Sequence, residues 1–232
     1  MIKANYFAPV LLLAVALGVA PVRASTPQDD LQSVLSQMNS SAVRFKWAKA
    51  DFEWEQYTLV VKQSDMQKGT IYFRRKGESA AIAIRIVSPA RKHILIDNGK
   101  AILYDEKIDQ ITERELGKDR ADFEAIMRLG FGSRGDDLLK SFEVKLAGWE
   151  MVDGVRTAKL ELIPTLPSYR KAFSKVFFWI DPARDIALKQ QFFEPSGDYR
   201  LVHNINIEVN GKPLPDDAFR MEHTNNKKVV VP

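Results

Sequence analysis

Residues that could carry out catalysis are few in this chain. Its three histidines are His93, His203 and His223, which lie far apart in sequence, and the chain contains no cysteine. No HxxxH, HxH or CxxC spacing predicts a metal site, and no thiol nucleophile exists. We interpret His93 and His203 as strand residues that face water or a backbone carbonyl. We therefore expect no metal, no cofactor and no enzymatic activity.

Two further patterns resemble catalytic motifs only superficially. The run from Gly130 to Gly135 is rich in glycine, but it does not follow a strand and lacks the Lys-Ser/Thr of a phosphate-binding loop. No Gly-x-Ser-x-Gly elbow occurs. Asp51, Glu53 and Glu55 share one strand face, and we predict that they face solvent opposite Phe52 and Trp54. A lipid hydrolase, the enzymatic alternative, would need a nucleophile beside one of the histidines.

The beginning of the chain predicts export. Residues 1–24 combine an early Lys3, an apolar run from Phe7 to Ala20 and a small-residue cleavage site at Val22–Ala24, as in a secretory signal peptide. An uncleaved anchor is the alternative. An exported chain without cysteine suits the periplasm. Residues 25–232 then form one domain. The net charge is +4, with acids and bases interleaved, so we predict no nucleic-acid partner.

The elements around these residues are mostly strands. Between Gly69 and Arg114 the chain reads as short strands separated by tight turns, and Asn98-Gly99 is typical of a two-residue hairpin. Ile82, Ile84 and Ile86 alternate with small or polar residues, which predicts a sheet with one apolar face. Similar alternation continues after Phe142 up to Val209.

Short helices accompany these strands. Leu31, Leu35 and Met38 lie on one helical face near the start, and a second helix is predicted over residues 119–129. A sheet of about ten or eleven antiparallel strands must curl, and the helices can then cover its concave face. We predict a mainly β fold with an α lid, an incomplete, open antiparallel β-barrel. A closed barrel with a ligand cavity is the competing architecture.

The concave face is predicted to be more apolar than a thin lid can fill. The alternative is that these side chains form an ordinary core. The candidate acyl-chain cavity consists of the strand residues Phe52, Trp54, Phe73, Ile82, Ile84, Ile86, Ile94, Ile96, Leu160, Leu162, Phe177 and Trp179. The candidate lid consists of Leu31, Leu35, Met38, Phe123, Ile126, Met127, Phe131 and Leu138.

Several short motifs in their order along the chain resemble the periplasmic outer-membrane lipoprotein carrier family, LolA. They are the amphipathic helix after the signal, Ala50-Asp51-Phe52, the strand from Gly69 to Arg75, the hairpin from Ile94 to Lys100 ahead of Tyr104, and the ending from Ile207 through Leu214 to Phe219. The resemblance covers essentially the whole chain after residue 24.

This resemblance implies a function. LolA-like carriers take lipoproteins from an inner-membrane ABC release complex, shield their acyl chains and pass them to an outer-membrane receptor. In that family an arginine on the second strand latches the lid, and Arg75 or its neighbour Arg74 matches that position. A monomer is expected. The alternative is a LolA-like paralogue that binds another lipid or acts as a periplasmic lipoprotein-sensing module.

Overall fold

The computed structural model describes residues 27–77, 79–117, 128–215, 217–221 and 228–230. Three α-helices lie in these ranges: α1 (Pro27–Arg44), α2 (Gly135–Ser141) and α3 (Pro167–Ala172), with a 3-10 turn at Glu106–Ile108. The strands are β1 (Trp47–Thr58), β2 (Gln63–Lys76), β3 (Ser79–Ser88), β4 (Lys92–Asp97), β5 (Lys100–Asp105), β6 (Gln110–Glu115), β7 (Phe142–Val152), β8 (Val155–Pro164), β9 (Lys175–Asp181), β10 (Ile186–Phe193), β11 (Tyr199–Val209) and β12 (Lys228–Val230).

All twelve strands form one sheet in the order β12-β6-β5-β4-β3-β2-β1-β11-β10-β9-β8-β7. The first eleven strands along the chain pair antiparallel, which confirms the predicted open antiparallel sheet. β12 adds a twelfth strand, parallel to β6, that the sequence did not predict. Within the described ranges the two edge strands, β7 and β12, do not pair with each other, so the sheet stays open.

Tight turns set the register of the hairpins. Asn98 and Gly99 both have positive φ, at 51° and 79°, and join β4 to β5, as the Asn-Gly pair predicts. Asp153 and Gly154, with φ of 49° and 76°, do the same between β7 and β8. These turns match the right-handed twist of the strands, which is why consecutive strands pair directly.

The concave face is covered along one half by helices. Leu31, Val34, Leu35 and Met38 of α1 pack on inward side chains of β7, β8 and β9, and Leu138 of α2 joins the same cluster. The other half of the face carries a second apolar cluster built on β2 and β3, with Phe45 and Phe131 packed onto it.

The opposite, convex face is also covered in one place. Residues near the end of the chain, Leu214, Ala218 and Phe219, pack on Tyr72, Ala83 and Leu95. Two arginines of the sheet hold this segment. Arg85 donates to the backbone carbonyl of Asp217 at 2.8 Å, and the Arg74 guanidinium lies 4.2 Å from the centre of the Phe219 ring.

Candidate functional site

An apolar cavity of about 270 Å³ lies on the concave face between the lid and the sheet. The neighbouring strands β1, β2, β3 and β4 form the floor of the cavity, and β10 and β11 form its wall. Its apolar lining consists of Phe52, Trp54, Ile71, Ile84, Ile94, Ile96, Leu129, Phe131, Phe173, Phe192 and Val202. Gln190, Arg200 and Asn204 complete the lining. A space bounded mainly by aliphatic and aromatic side chains suits a hydrocarbon ligand.

The roof of the cavity is the segment from Leu129 to Gly132, which we call the roof segment. Its backbone hydrogen-bonds to the start of β10: the Ala187 N–H donates to the Gly130 carbonyl, and the Gly132 N–H donates to the Asp185 carbonyl, both at 2.9 Å. The buried Gln190 amide also donates to the Leu129 carbonyl at 3.1 Å. The roof segment is therefore fixed to β10 and crosses the cavity.

Glycines allow this close approach. Gly130 and Gly132 have positive φ, at 86° and 66°. A Cβ on Gly130 would lie 2.1 Å from the Gln190 amide nitrogen, and a Cβ on Gly132 would lie 2.4 Å from the Phe45 ring. A side chain at either position would push the roof segment away from the sheet.

Phe131 carries the apolar contact between roof and floor. Its ring stacks on Phe73 with centroids 5.8 Å apart, and Phe45 meets Phe73 edge-on at 5.6 Å. Phe45 directly follows α1, so this aromatic cluster connects the end of the helix, the roof segment and β2. Such aromatic pairs are stabilising beyond their buried area.

Arg75 makes the polar contact at the same junction. Its guanidinium donates to the Ala42 carbonyl in the last turn of α1, at 2.7 Å, and to the Gly132 carbonyl of the roof segment, at 2.5 Å. The last carbonyls of a helix lack intrahelical partners and carry partial negative charge, so a cation is favoured there. One side chain of the sheet thus holds two parts of the lid.

Asp185 lies buried beside this junction. Both of its carboxylate oxygens are buried without a hydrogen-bond partner in the described part of the chain. Burial raises the pKa of Asp185 to about 8, and the nearby charge of Arg75 offsets only part of that effect. The carboxyl is therefore largely protonated near neutral pH in the closed arrangement.

The two helices of the lid are fastened to each other as well. The Asn39 amide donates to the Asp136 carboxylate at 2.9 Å, and the Asp136 N–H donates back to Asn39 at 3.2 Å. The Asn39 amide and then Arg134 hold the pKa of Asp136 below its usual value. The α1–α2 pair therefore behaves as one covering layer.

A larger, polar groove of about 610 Å³ lies outside the lid at the Arg75 junction. It is lined by charged side chains such as Arg128, Arg134, Asp136 and Lys140. This lining does not suit a hydrocarbon chain, so we place the acyl-binding candidate in the apolar cavity.

The predicted lid residues that the structure describes lie over the concave face of the sheet. Leu31, Leu35, Met38 and Leu138 are buried against the inward face of β7–β9, and Phe131 roofs the cavity. Phe123, Ile126 and Met127 lie outside the described residues.

Ten of the twelve predicted cavity residues fall into three groups. Phe52, Trp54, Ile84, Ile94 and Ile96 line the cavity. Phe73, Ile82 and Ile86 are buried but do not line it, the first two belonging to the cluster beside the roof segment. Leu160 and Leu162 face inward under α1, where they form core.

Phe177 and Trp179 were assigned to the wrong face of β9. Their neighbours Val176, Phe178 and Ile180 pack in the concave cluster, so alternation places Phe177 and Trp179 on the convex side. There the Trp179 indole donates to the Glu150 carboxylate. β9 is apolar on both faces, so alternation could not distinguish them.

The two arginines considered as a latch also lie on opposite faces of their strand. Arg75 reaches the lid, whereas Arg74 points to the convex face and contacts Phe219. The assignment of Arg74 as a latch is therefore wrong. Arg74 instead holds the segment around Phe219 against the convex face. Adjacent residues on a strand face opposite sides, so the two arginines could never have shared one role.

Five apolar lining residues were missed: Ile71, Leu129, Phe173, Phe192 and Val202. Ile71 and Phe73 were both visible as one face of β2. Val202 lies in β11, whose pairing with β1 joins residues more than a hundred positions apart, and Phe192 lies in β10, which pairs with β11. A pattern among residues that are close in sequence cannot indicate a contact between strands that are far apart in the chain.

The residues first considered for chemistry have structural partners. Asp51 accepts from Thr70 and Glu53 from Lys68, on the face opposite Phe52 and Trp54. His203 pairs with Asp153 at 2.7 Å, and His223 lies outside the described residues. Within the described ranges no group of three or more His, Cys, Asp or Glu could hold a metal ion.

Among the residues that the structure describes, no helix is both long and apolar enough to cross a membrane.

The fold is an open antiparallel half-barrel whose concave face carries helices. An uncharacterised conserved protein from Thermus thermophilus superposes with a TM-score of 0.55 at 11% identity, over 88% of this chain and 99% of that one. A LolA superfamily protein from Nitrosomonas europaea also matches, with a TM-score of 0.39 and 16% identity, over 82% and 97% of the two chains.

MucB is a further structural neighbour. Its crystal structure superposes with a TM-score of 0.54 at 13% identity over 87% of this chain, which spans 65% of MucB. The complex of Pseudomonas aeruginosa MucA and MucB matches with a TM-score of 0.51. At these identities the similarity establishes the fold. No family model and no sequence of a characterised protein matches the chain.

Proposed function

We propose that this protein is a periplasmic carrier that shields the acyl chains of lipoproteins and moves them from the inner to the outer membrane. The observation that carries the proposal is the apolar cavity between a curved sheet and a cover fastened by a few polar contacts. A stable core would leave no such space, since protein interiors are close-packed. A ligand made of hydrocarbon would fill it.

The size of the cavity indicates that the lid must move. At about 270 Å³ it lies just below the range of roughly 300–1,000 Å³ that is typical of ligand pockets, and a lipoprotein carries several acyl chains. The closed arrangement therefore supports an empty or partly filled carrier. Uptake of a full cargo would displace Phe131 and the helices from the concave face.

The energies are of comparable size, which suits a reversible carrier. Each methylene removed from water contributes about 0.8 kcal/mol, whereas a hydrogen bond from a charged group contributes about 1.5–3 kcal/mol. Breaking the two bonds of Arg75 is thus offset by burial of a few methylenes. A carrier must release its cargo again, so a lid of intermediate strength is suitable.

The partners follow from this role. The cargo would come from an inner-membrane ABC release complex and pass to an outer-membrane receptor, with the carrier acting as a monomer after cleavage of residues 1–24. A LolA-like paralogue with another lipid as cargo would use the same cavity, and a lipoprotein-sensing module would bind the same chains without passing them on.

Native mass spectrometry combined with lipid extraction tests the proposal. The protein is expressed to the periplasm and compared with Ile84→Glu, which places a charge in the cavity. Met151→Glu, at a side chain that is 64% exposed, is the matched control. We expect bound lipid or a triacylated peptide on the wild type and the control, with loss on Ile84→Glu. A wild type that stays empty after addition of triacylated peptide would refute the carrier function.

A further inference from the structure

The hairpin turn between β1 and β2 exposes three aliphatic side chains in succession. Leu59, Val60 and Val61 are 44%, 89% and 58% exposed. Single exposed apolar residues are ordinary on protein surfaces, but three in a row at one turn form a patch. We call this patch the hairpin tip.

The hairpin tip is held in place rather than loose. The Leu59 N–H donates to the Asp198 carboxylate at 2.8 Å, and the Lys62 N–H donates to the Leu59 carbonyl at 3.2 Å. Gly197 lies so near that a Cβ there would be 2.6 Å from a Leu59 methyl carbon. The turn between β10 and β11 thus supports the tip, which presents its valines to solvent in a fixed conformation.

A row of aromatic residues crosses the sheet directly behind the tip. Tyr57, Tyr199, Phe193 and Phe177 follow one another on four adjacent strands, with centroid distances of 5.0, 6.2 and 6.1 Å. The Lys175 ammonium lies 4.8 Å from the Phe177 ring and 5.4 Å from the Phe193 ring. Tyrosines and lysines beside an apolar surface are typical of the membrane–water interface.

The size of the patch argues against a protein partner. Even a small specific protein interface buries roughly 600 Å² on each side, which three aliphatic side chains do not supply. The charges beside the tip are mixed, since Lys62 of the turn is accompanied by Asp198, which accepts from Leu59, and by Asp65 at the start of β2. Insertion of the apolar side chains, rather than attraction to anionic headgroups, would therefore provide the binding.

We infer that the hairpin tip docks the protein on a lipid bilayer, with Leu59, Val60 and Val61 entering the interfacial region. If the protein is a lipid carrier as proposed above, docking also determines which end of the cavity faces the bilayer. Gln56 pairs with Arg200, which lines the cavity, and the tip begins three residues further on, about 10 Å away. A docked protein would hold that end of the cavity close to the bilayer.

Site-specific fluorescence tests the docking directly, because a chain without cysteine accepts a label at one chosen position. Val60→Cys carrying the environment-sensitive dye NBD is mixed with vesicles of phosphatidylethanolamine and phosphatidylglycerol (3:1) and, separately, of phosphatidylcholine. The control is Val43→Cys, on α1 and 77% exposed. We expect a blue shift with both vesicle types at position 60 and none at position 43. An unchanged spectrum at position 60, or a shift without vesicles that grows with protein concentration, would overturn the proposal.

Vesicle flotation separates docking from lipid uptake. The double variant Val60→Ser with Val61→Ser is compared with Val43→Ser with Val87→Ser, which removes equally exposed valines elsewhere. We expect at least a tenfold loss of binding for the first and no change for the second. Ile84→Glu, with a blocked cavity, should still float. If it fails to float while folded, the lipid contact is uptake into the cavity and the docking proposal is wrong.

Discussion

Arg75 of β2 donates to the carbonyl oxygen of Ala42 across 2.7 Å, which ties the sheet to the last turn of α1. The same guanidinium reaches the Gly132 carbonyl, so one side chain controls the helix and the roof segment together. We propose that Arg75 is the latch of the lid. On this proposal its contacts shift the equilibrium between the closed and the open lid without contributing to the cavity itself.

Replacing Arg75 by Met should weaken the lid selectively. The change removes two hydrogen bonds from a charged donor, and we expect the free energy of unfolding to fall by about 3–6 kcal/mol in urea titrations. It should also speed the uptake of a fluorescent apolar dye into the cavity, measured by stopped flow. Arg75→Lys, which can restore one bond, should lie between Met and wild type.

Arg74→Met is the matched control, because it alters the adjacent arginine on the opposite face. Its contact with the Phe219 ring is an exposed cation–π pair, so the loss should stay below about 1 kcal/mol. Dye uptake should remain at the wild-type rate. Equal acceleration by both variants would show that Arg75 has no special role in closing the lid.

Asp185 should make stability depend on pH. Its pKa is about 8 in the folded protein and ordinarily 3.8, so the unfolded chain binds fewer protons between these values. The contribution of Asp185 to stability is then greatest near pH 4 and falls as pH rises to 8, by roughly 1 kcal/mol per pH unit. Urea unfolding of wild type and Asp185→Asn at pH 5 and pH 8 measures this contribution.

Asp185→Asn keeps the shape of the side chain and cannot ionise, so its stability should change less between the two pH values than that of the wild type. It should exceed the wild type at pH 8. An identical decrease in both proteins would mean that Asp185 is already ionised in the closed arrangement, contrary to its burial.

The two faces of the sheet should respond differently to polar substitutions. Phe192 lines the cavity, whereas Phe177 lies on the convex face beside Trp179. Phe192→Gln should weaken the binding of a fatty-acyl probe by roughly tenfold, because it removes apolar surface from the ligand's surroundings. Phe177→Gln should leave the dissociation constant unchanged in isothermal titration calorimetry. The reverse order would place the ligand on the convex face.

The sequence predicted the parts of this fold that depend on neighbours along the chain. Alternation identified Ile84, Ile94 and Ile96 as one face, and Asn98-Gly99 identified a turn, because side-chain direction and φ are local properties. It failed at β9, where the residues from Val176 to Ile180 are apolar on both faces. β12 was missed because its pairing with β6 joins distant segments.

The sequence predicted the candidate site only in part, as it did the fold. The resemblance identified a pair of arginines, but which of them reaches the lid depends on the strand's orientation in the sheet. The roof depends on Gly130 and Gly132, whose close contacts with Gln190 and Phe45 come from packing of distant segments. Asp185 gave no sequence signal, because its pKa is raised by burial in the folded protein, an effect that the charge of Arg75 only partly offsets.

Photolabelling with a triacylated peptide tests the central claim most directly. A diazirine near the end of each acyl chain is activated in the complex, and the labelled residues are identified by peptide mass spectrometry. We predict labels on residues that line the cavity, such as Phe52, Ile84 and Phe192, and none on the convex residues Phe177 and Trp179. Labels confined to the convex face, or a protein that takes no label above the level of Ile84→Glu, would contradict the account.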